Sequence, residues 1–423
     1  MICYNLFPLL AGPFGSWEKH IERAAGMAFD WIFVNPVQQS GGSGSLYSIA
    51  DYFQLDRRLV DPNDSRDPEQ QLKDAIAAAE QRGVKMMVDL VINHCATDSA
   101  LVQRHPEWFQ HEKDGSLAHP FCFEDNNTKK VVWGDLVSFA HQKTTDPEGL
   151  YKYLRSVVDY LLELGFKGFR CDAAYQIPGA LWKRLIKDVK KRCPDAVFAA
   201  ETLGCTPAQT KQTAQAGFDY IFNSVKWWDL EGDWLLKQYN LTRKIAPSIG
   251  FPESHDTERL FAETNGNIAA IKQRYLLAAL FSKGVMMPIG FEFGFRKPLH
   301  VVDTRPEDWE EPNVDLCDFI TQVNQLKKNH AVFRQECPTR VLKTRNPGVL
   351  VLWKGAEDSD QEALLIANKG TQQPQTFQVD TLNALLGSGA PLRDVSPEQP
   401  MAVIPRPFTR KLEPAQMIVL VTE

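Results

Sequence analysis

The stretch Gly168-Phe169-Arg170-Cys171-Asp172-Ala173-Ala174 decides how this 423-residue chain is read. A short β-type run ends in an aspartate, with an arginine two residues before it. Alternate residues of a strand share a face, so Arg170 and Asp172 stand on the same side. A guanidinium and a carboxylate at the end of a buried strand are costly unless they pair or react. Paired, Arg170 holds Asp172 ionised through a charge-assisted bond. The arrangement recurs. Asp89-Leu-Val-Ile-Asn93-His94 closes the run that begins at Val84, Phe198-Ala-Ala-Glu201-Thr202 closes another, and Glu253-Ser-His255-Asp256-Thr-Glu-Arg259 follows a third.

Outward from these motifs, β-rich runs alternate with helical spacing. The pattern predicts strands at 1–7, 31–34, 84–92, 168–171, 197–200, 220–222, 248–252 and 285–289, with helical stretches between them. Asp67 before Pro68 opens a helix reaching Gln81, because proline suits a first helical position; others are predicted over 16–26 and 150–164. Eight strand–helix units in series predict a (β/α)8 barrel over a doubly wound sheet. Residues 95–146 are too long for a barrel loop and form an inserted subdomain. The rhythm changes after Lys328: strands at 339–342, 349–354, 362–368, 375–379 and 415–421 predict a C-terminal antiparallel β-sandwich. The expected domains are a barrel over 1–94 and 147–330, the insertion 95–146, and the sandwich 331–423.

Hydrophobic residues at 43% and charged residues at 24% suit an ordinary globular protein. The formal charge of -6, with no Lys/Arg block, argues against a nucleic-acid partner. The run from Tyr275 to Phe281 is among the longest apolar stretches, far short of the ~20 residues that span a bilayer. The opening MICYNLFPLL has no leader pattern and reads as the first strand. The eight cysteines are scattered without a CxxC pair. Together these predict reduced thiols, a cytoplasmic location and no membrane partner.

The segments DLVINH, GFRCDAA, AET and SHDTER resemble, in order and spacing, the four signature regions of the α-amylase family (glycoside hydrolase family 13) of retaining glycosidases and transglycosidases. The resemblance implies Asp172 as nucleophile, Glu201 as general acid/base and Asp256 as the acid that holds sugar hydroxyls and stabilises the transition state. Retention needs one ionised carboxylate and one that still carries a proton, and the charge of Asp172 is one reason for Glu201 to keep its own. By the same resemblance His94 and His255 donate to hydroxyls of the sugar before the cleaved bond, Tyr47 stacks under it, and Arg259 anchors Asp256 or the sugar. Asn93 matches a position that often ligates calcium, with Asp135 as a candidate partner. A structural calcium is thus implied, and no cofactor is required for the chemistry. Ser254 stands where many relatives carry asparagine, and Gly290–Gly294 resembles a segment that shapes a loop. Trp227 and Trp228, after the sixth strand, are a candidate platform for further glucose units.

The expected substrate is an α-glucan or malto-oligosaccharide. Hydrolysis of α-1,4 links, the family's commonest activity, is the first expectation. The run His105-Pro-Glu-Trp-Phe109 with Asp114-Gly115, and the residues after Glu201, resemble the bacterial maltosyltransferases, which transfer maltosyl units from maltose 1-phosphate. That branch carries an N-terminal sandwich ahead of its barrel, whereas this chain opens on the first strand, so transfer stands second. A non-catalytic amylase-like binding protein is a third reading, which the presence of all three acids disfavours. No glycine-rich phosphate loop follows strands seven and eight. The sequence sets no oligomeric state.

Overall fold

A computed structural model describes residues 1–124 and 129–423. Eight strands, β1 (Ile2–Leu6), β2 (Trp31–Val34), β3 (Lys85–Leu90), β4 (Gly168–Cys171), β5 (Val197–Ala200), β6 (Tyr220–Phe222), β7 (Ser248–Gly250) and β8 (Gly284–Pro288), pair in parallel in that order. β8 closes on β1, with Ile2 opposite Val285, which makes the barrel the sequence predicts. Each strand leads to a helix: α1 (Glu18–Gly26), α2 (Pro68–Gln81), α3 (Pro147–Glu163), α4 (Gly179–Lys190), α5 (Pro207–Ala214), α6 (Trp234–Thr242), α7 (Ile268–Phe281) and α8 (Cys317–Asn329).

The helices start where their caps dictate. Asp67 accepts from the Gln70 amide ahead of Pro68, and Thr206 forms a reciprocal capping box with Gln209. Asp146 accepts from the Gly149 amide, so α3 begins one turn before the stretch that apolar spacing alone picks out. Period-two alternation then sorts the strand side chains. Tyr4, Ile32, Val88, Phe169 and Phe198 pack outward under the helices, while Trp31, Phe33, Met87, Phe222, Phe251 and Met286 fill the barrel.

Gly168 shares the inner face with Arg170 and Asp172. A Cβ there would sit 2.8 Å from the Val197 carbonyl and 3.3 Å from the Trp31 ring. The glycine therefore leaves the barrel floor to Trp31 and lets β4 approach β5.

Short antiparallel ribbons follow the strand ends. Gln38–Ser40 pairs with Ile49–Leu55, and within the insertion His94–Ala96 pairs with Leu136–Ser138 and Phe121–Glu124 with Lys129–Val132. The part of the expected 95–146 insertion that falls on 125–128 lies outside the described residues. Beyond α8, β9 (Thr339–Val341), β10 (Val349–Gly355), β11 (Glu362–Asn368), β12 (Gln375–Val379), β13 (Leu392–Asp394), β14 (Phe408–Leu412) and β15 (Met417–Thr422) make a five-stranded sheet, order β9-β10-β11-β15-β13, and a β12-β14 ribbon.

One face of the sheet (Val349, Val351, Leu364, Ile366) packs on Phe377 and Phe408 of the ribbon. The other face (Leu350, Leu352, Leu365, Val419) joins the main core. Strands buried on both sides read as continuous apolar runs, which is why β10 and β11 were legible. Only the ends of β14 are buried (Phe408, Leu412), and β13 buries only Asp394, so neither stands out in the sequence. The junction is polar and buried. Glu336 accepts from the Ser248 and Lys283 amides, and Lys327 Nζ donates to the carbonyls of Ala279 and Ser282 at the end of α7 and to that of Phe333 beyond α8.

Substituting Gly168→Ala should lower the unfolding free energy by about 1–3 kcal/mol, the usual cost of overpacking. Urea denaturation measures it, and an unchanged midpoint would mean that the barrel floor yields without cost.

Candidate active site

Arg170 lies at the centre of the barrel mouth, 3% exposed. Its Nη1 donates to both carboxylate oxygens of Asp89 at 3.0 Å and to Asp172 Oδ1 at 2.7 Å. Its Nη2 pairs with Glu201 Oε1 at 3.0 Å. Arg170 is the register partner of Asp89 on β3 and of Ala199 on β5. Strand pairing therefore sets this convergence of three carboxylates on one guanidinium. Attraction to Asp89 and Glu201 holds the Arg170 charge in place against the cost of burial.

A second chain of hydrogen bonds crosses the mouth. Asn5 donates to Asn35 at 2.9 Å, Asn35 to the Tyr47 hydroxyl at 2.9 Å, and Tyr47 to Asp89 at 2.7 Å. His255 Nε2 lies 2.7 Å from the same hydroxyl and 3.1 Å from Asp256 Oδ2. Because the Tyr47 proton is directed to Asp89, the remaining proton of this cluster belongs on His255 Nε2. His255 Nδ1 is buried without a partner. Burial lowers the pKa of His255 and of His94, which leaves both rings neutral at pH 7. The Tyr47 ring stacks on His255, centroids 5.8 Å apart and 5° from parallel.

Ala173, directly after Asp172, adopts a left-handed conformation (φ 44°). L-residues resist this region, and strain of this kind collects at functional sites. It turns the Ala173 amide onto Glu201 Oε2 at 2.7 Å. The Glu201 carboxyl is pushed up to about 7, first by burial, against the pull of Arg170, and further by the charges of Asp172 and Asp256. Asp256 is the most open of the three acids, its side chain 50% exposed.

His94 lies within the fields of Asp172 and Asp135, and Tyr52 donates to its carbonyl at 2.8 Å. Asn93 donates to Gln176 at 3.0 Å, and the Asp135 carbonyl is engaged by Thr97 and Ser48. Calcium takes six to eight oxygens. Among the described residues no three His, Cys, Asp or Glu side chains gather as metal ligands. No step below is routed through a metal.

Two expectations are corrected. Arg259 does not reach for Asp256 or the mouth. Its guanidinium is fully buried, donating to Glu253 at 2.8 Å, to the Ile289 carbonyl at 2.7 Å and to the Lys297 carbonyl at 3.1 Å. It ties the β7 and β8 loops together. Trp228 is 0% exposed, packs on Phe281 and donates to the Glu231 carbonyl, so it is core. Trp227 is 50% exposed and sets its edge against Phe251, which lines the mouth. Only Trp227 is available as a platform. Sequence reasoning assigned no role to Asp89, Asn35 or Asn5. Asp89 alone could have been found, as an acid on the inward register of an apolar strand.

Two hollows lie at this end of the barrel. One, only about 10 Å³, lies among Phe33, Phe222, Phe251 and Met286 and is bordered by Arg170, Glu201, His255 and Asp256. The other, about 150 Å³, lies between the loop after β4 and α5, lined by Gln142, Tyr175, Gln176, Trp182, Gln212 and Thr213.

Comparison with known proteins shows what this chain is similar to. The model of the glycogen debranching enzyme glucanotransferase domain matches residues 2–115. An α-1,4-glucan:maltose-1-phosphate maltosyltransferase of Burkholderia pseudomallei is 25% identical over 371 residues, 85% of this chain and 32% of that protein. Maltosyltransferase 2 of Streptomyces coelicolor is 24% identical over 414 residues, 88% of this chain and 59% of that protein. An α-amylase structure from Lactobacillus plantarum superposes with a TM-score of 0.79 at 18% identity, covering 100% of this chain and 98% of that one. The chain shares the fold of that amylase and is similar in sequence to these maltosyltransferases. It spans less than two thirds of those maltosyltransferases, and its likeness to them is in sequence.

The two tryptophans should separate cleanly. Trp227→Ala should leave thermal stability nearly unchanged and weaken retention on immobilised glucan in affinity electrophoresis. Trp228→Ala should cost about 3–5 kcal/mol, as loss of a buried Trp does. Equal effects of the two on stability would overturn the distinction.

Glu201 supplies a pH test. Its proton is held more tightly folded (about 7) than unfolded (4.5). Its stabilising contribution is therefore complete below pH 4.5 and is lost as pH rises through 7, by up to about 1.4 kcal/mol per pH unit. The stability of wild type relative to Glu201→Gln should fall across that window and level off above it. A difference independent of pH would contradict the raised pKa.

Proposed function

We propose that this chain is a retaining α-glucan transglycosidase that works by double displacement through Asp172. One observation carries the reading: Arg170 donates to the carboxylate of Asp172 and also holds the carboxyl of Glu201, whose pKa lies near 7. Asp172 is the nucleophile and Glu201 the acid/base, the division of labour that retention needs. In the first half-reaction an Asp172 oxygen bonds to the anomeric carbon while the bond from that carbon to the leaving oxygen breaks. The Glu201 proton passes to the leaving oxygen. In the second, an acceptor hydroxyl bonds to the anomeric carbon, the bond to Asp172 breaks, and the hydroxyl proton returns to Glu201.

The remaining residues bind and orient. Asp256 adds negative charge against an oxocarbenium-like transition state. His255 Nε2 lies between the Tyr47 hydroxyl and Asp256, His94 lies beside Asp172, and the Tyr47 ring is fixed by Asp89 and His255 as a flat wall. A pyranose offers an apolar C–H face to such a ring. Arg170 and Asp89 set the positions of the acids without touching the sugar.

Transfer is preferred over hydrolysis, the first expectation from the motifs. The relatives similar over most of this chain are named maltosyltransferases, and the matching family model is of a glucanotransferase domain. The amylase neighbours speak to the fold. The α-glucan substrate belongs to the proposal, as does a cytoplasmic setting. Among the described residues no helix is long and apolar enough to cross a membrane, and Cys95, Cys171 and Cys205 beside the site are free thiols.

Asp172→Asn should reduce turnover of maltoheptaose about a thousandfold or more, as removal of a nucleophile does, while the melting temperature stays within a few degrees. Sizing the wild-type products then distinguishes transfer from hydrolysis. Chains longer than the starting glucan support transfer, whereas uniformly shorter ones return the reading to hydrolysis. Undiminished activity of Asp172→Asn would remove the assignment altogether.

A further inference from the structure

We infer that Asn35, held in turn by Asn5, is a positioning residue that directs the Tyr47 hydroxyl proton onto Asp89 and so keeps Arg170 seated between the two acids of the proposed reaction. This role rests on the retaining reading above and adds to it two residues set back from the reacting atoms.

Consecutive strands from β1 to β5 each place a polar side chain on the inward register at the mouth. Asn5 on β1, Asn35 just past β2, Asp89 on β3, Arg170 on β4 and Glu201 just past β5 form the row. Asn5, Asn35, Asp89 and Glu201 lie two residues beyond Cys3, Phe33, Met87 and Ala199, which fill the barrel interior, so they point the same way. Asn5, Asn35 and Asp89 are fully buried, where a polar atom without a partner is costly. Tyr47 reaches this row from the loop before Ile49–Leu55. Its hydroxyl lies 2.9 Å from Asn35 Nδ2, 2.7 Å from Asp89 Oδ2 and 2.7 Å from His255 Nε2.

The direction of these hydrogen bonds is set from one end. The Phe33 carbonyl can only accept, and Asn5 Nδ2 donates to it at 3.1 Å and to Asn35 Oδ1 at 2.9 Å. Asn5 Oδ1 has no hydrogen-bond partner among the described residues, so no donor there draws the amide round. With its oxygen engaged by Asn5, Asn35 turns its Nδ2 to the Tyr47 hydroxyl. His255 Nε2 also lies 3.1 Å from the Asp256 carboxylate, an acceptor that keeps the ring proton on that nitrogen. The hydroxyl thus meets donors on two sides, and its own proton has one destination, Asp89 Oδ2. A reversed Asn35 would set its amide oxygen in competition with Asp89 for that proton.

The proton matters because Asp89 shares Arg170 with Asp172 and Glu201. Burial pushes the Asp89 carboxyl up, while Arg170 and the Tyr47 hydrogen bond favour its ionised form. Held by Tyr47 on one oxygen, Asp89 receives Arg170 Nη1 on both. An apolar side chain at position 35 would leave the hydroxyl one donor short and the Asn5 amide without its acceptor. Tyr47 would then no longer hold Asp89 at a fixed height under the guanidinium.

A double-mutant cycle tests this on the full chain, comparing maltoheptaose turnover by wild type, Asn35→Leu, Tyr47→Phe and the double variant. Each single substitution should lower kcat about tenfold, and Asn35→Leu should leave KM within about twofold. The double variant should fall no more than about twofold below Tyr47→Phe, because without the hydroxyl Asn35 has no proton to direct. Losses that multiply, to about a hundredfold in the double variant, would overturn the positioning role and leave the retaining reading intact. Wild-type kcat in Asn35→Leu would do the same. Where Asn35→Leu fails to fold, Asn5→Ala, one step further back, takes its place in the same cycle with the same expected outcome. No turnover by the wild type would overturn the retaining reading, and this role with it.

Discussion

The pairing of one buried guanidinium with three carboxylates is the constraint on which this structure depends. Arg170 is almost wholly buried, and a buried charge persists only where partners replace its hydration. Asp89, Asp172 and Glu201 do so from three adjacent strands, β3, β4 and β5. Closure of the barrel brings those strand ends within reach, and the ion cluster in turn fixes their relative heights. Removing any one carboxylate alters the charge seen by the other two, so none of the four residues has an independent role.

From that cluster the proposed acid–base division follows. Asp172 takes the shortest of the Arg170 contacts, at 2.7 Å, whereas Glu201 is buried and shares the same guanidinium. Two carboxyls close together do not readily ionise together. The strained backbone at Ala173 adds a donor to Glu201, and the Tyr47 network clamps Asp89 from the opposite side. The supports run outward through Asn35 and Asn5 to β1, so the geometry at the mouth is tied to the first strand of the barrel.

The sequence by itself determined the barrel and the three acids, because both are written in local terms. Strand-length apolar runs, Asp67-Pro68 at a helix start, and Arg170 two residues from Asp172 each declare themselves within a few positions. β10 and β11 were legible for the same reason, being buried on both faces. Only the tertiary structure decided what depends on contacts between distant segments. It buried Trp228 and left its neighbour Trp227 exposed, since which of two adjacent side chains points inward is set by the packing of α7 beneath them. It turned Arg259 away from Asp256 onto Glu253 and two carbonyls, because a buried guanidinium goes where acceptors are free. It brought Asp89 under Arg170, eighty-one positions away in the chain. Strand register is a long-range property, and no local pattern encodes which two residues of separate strands will meet.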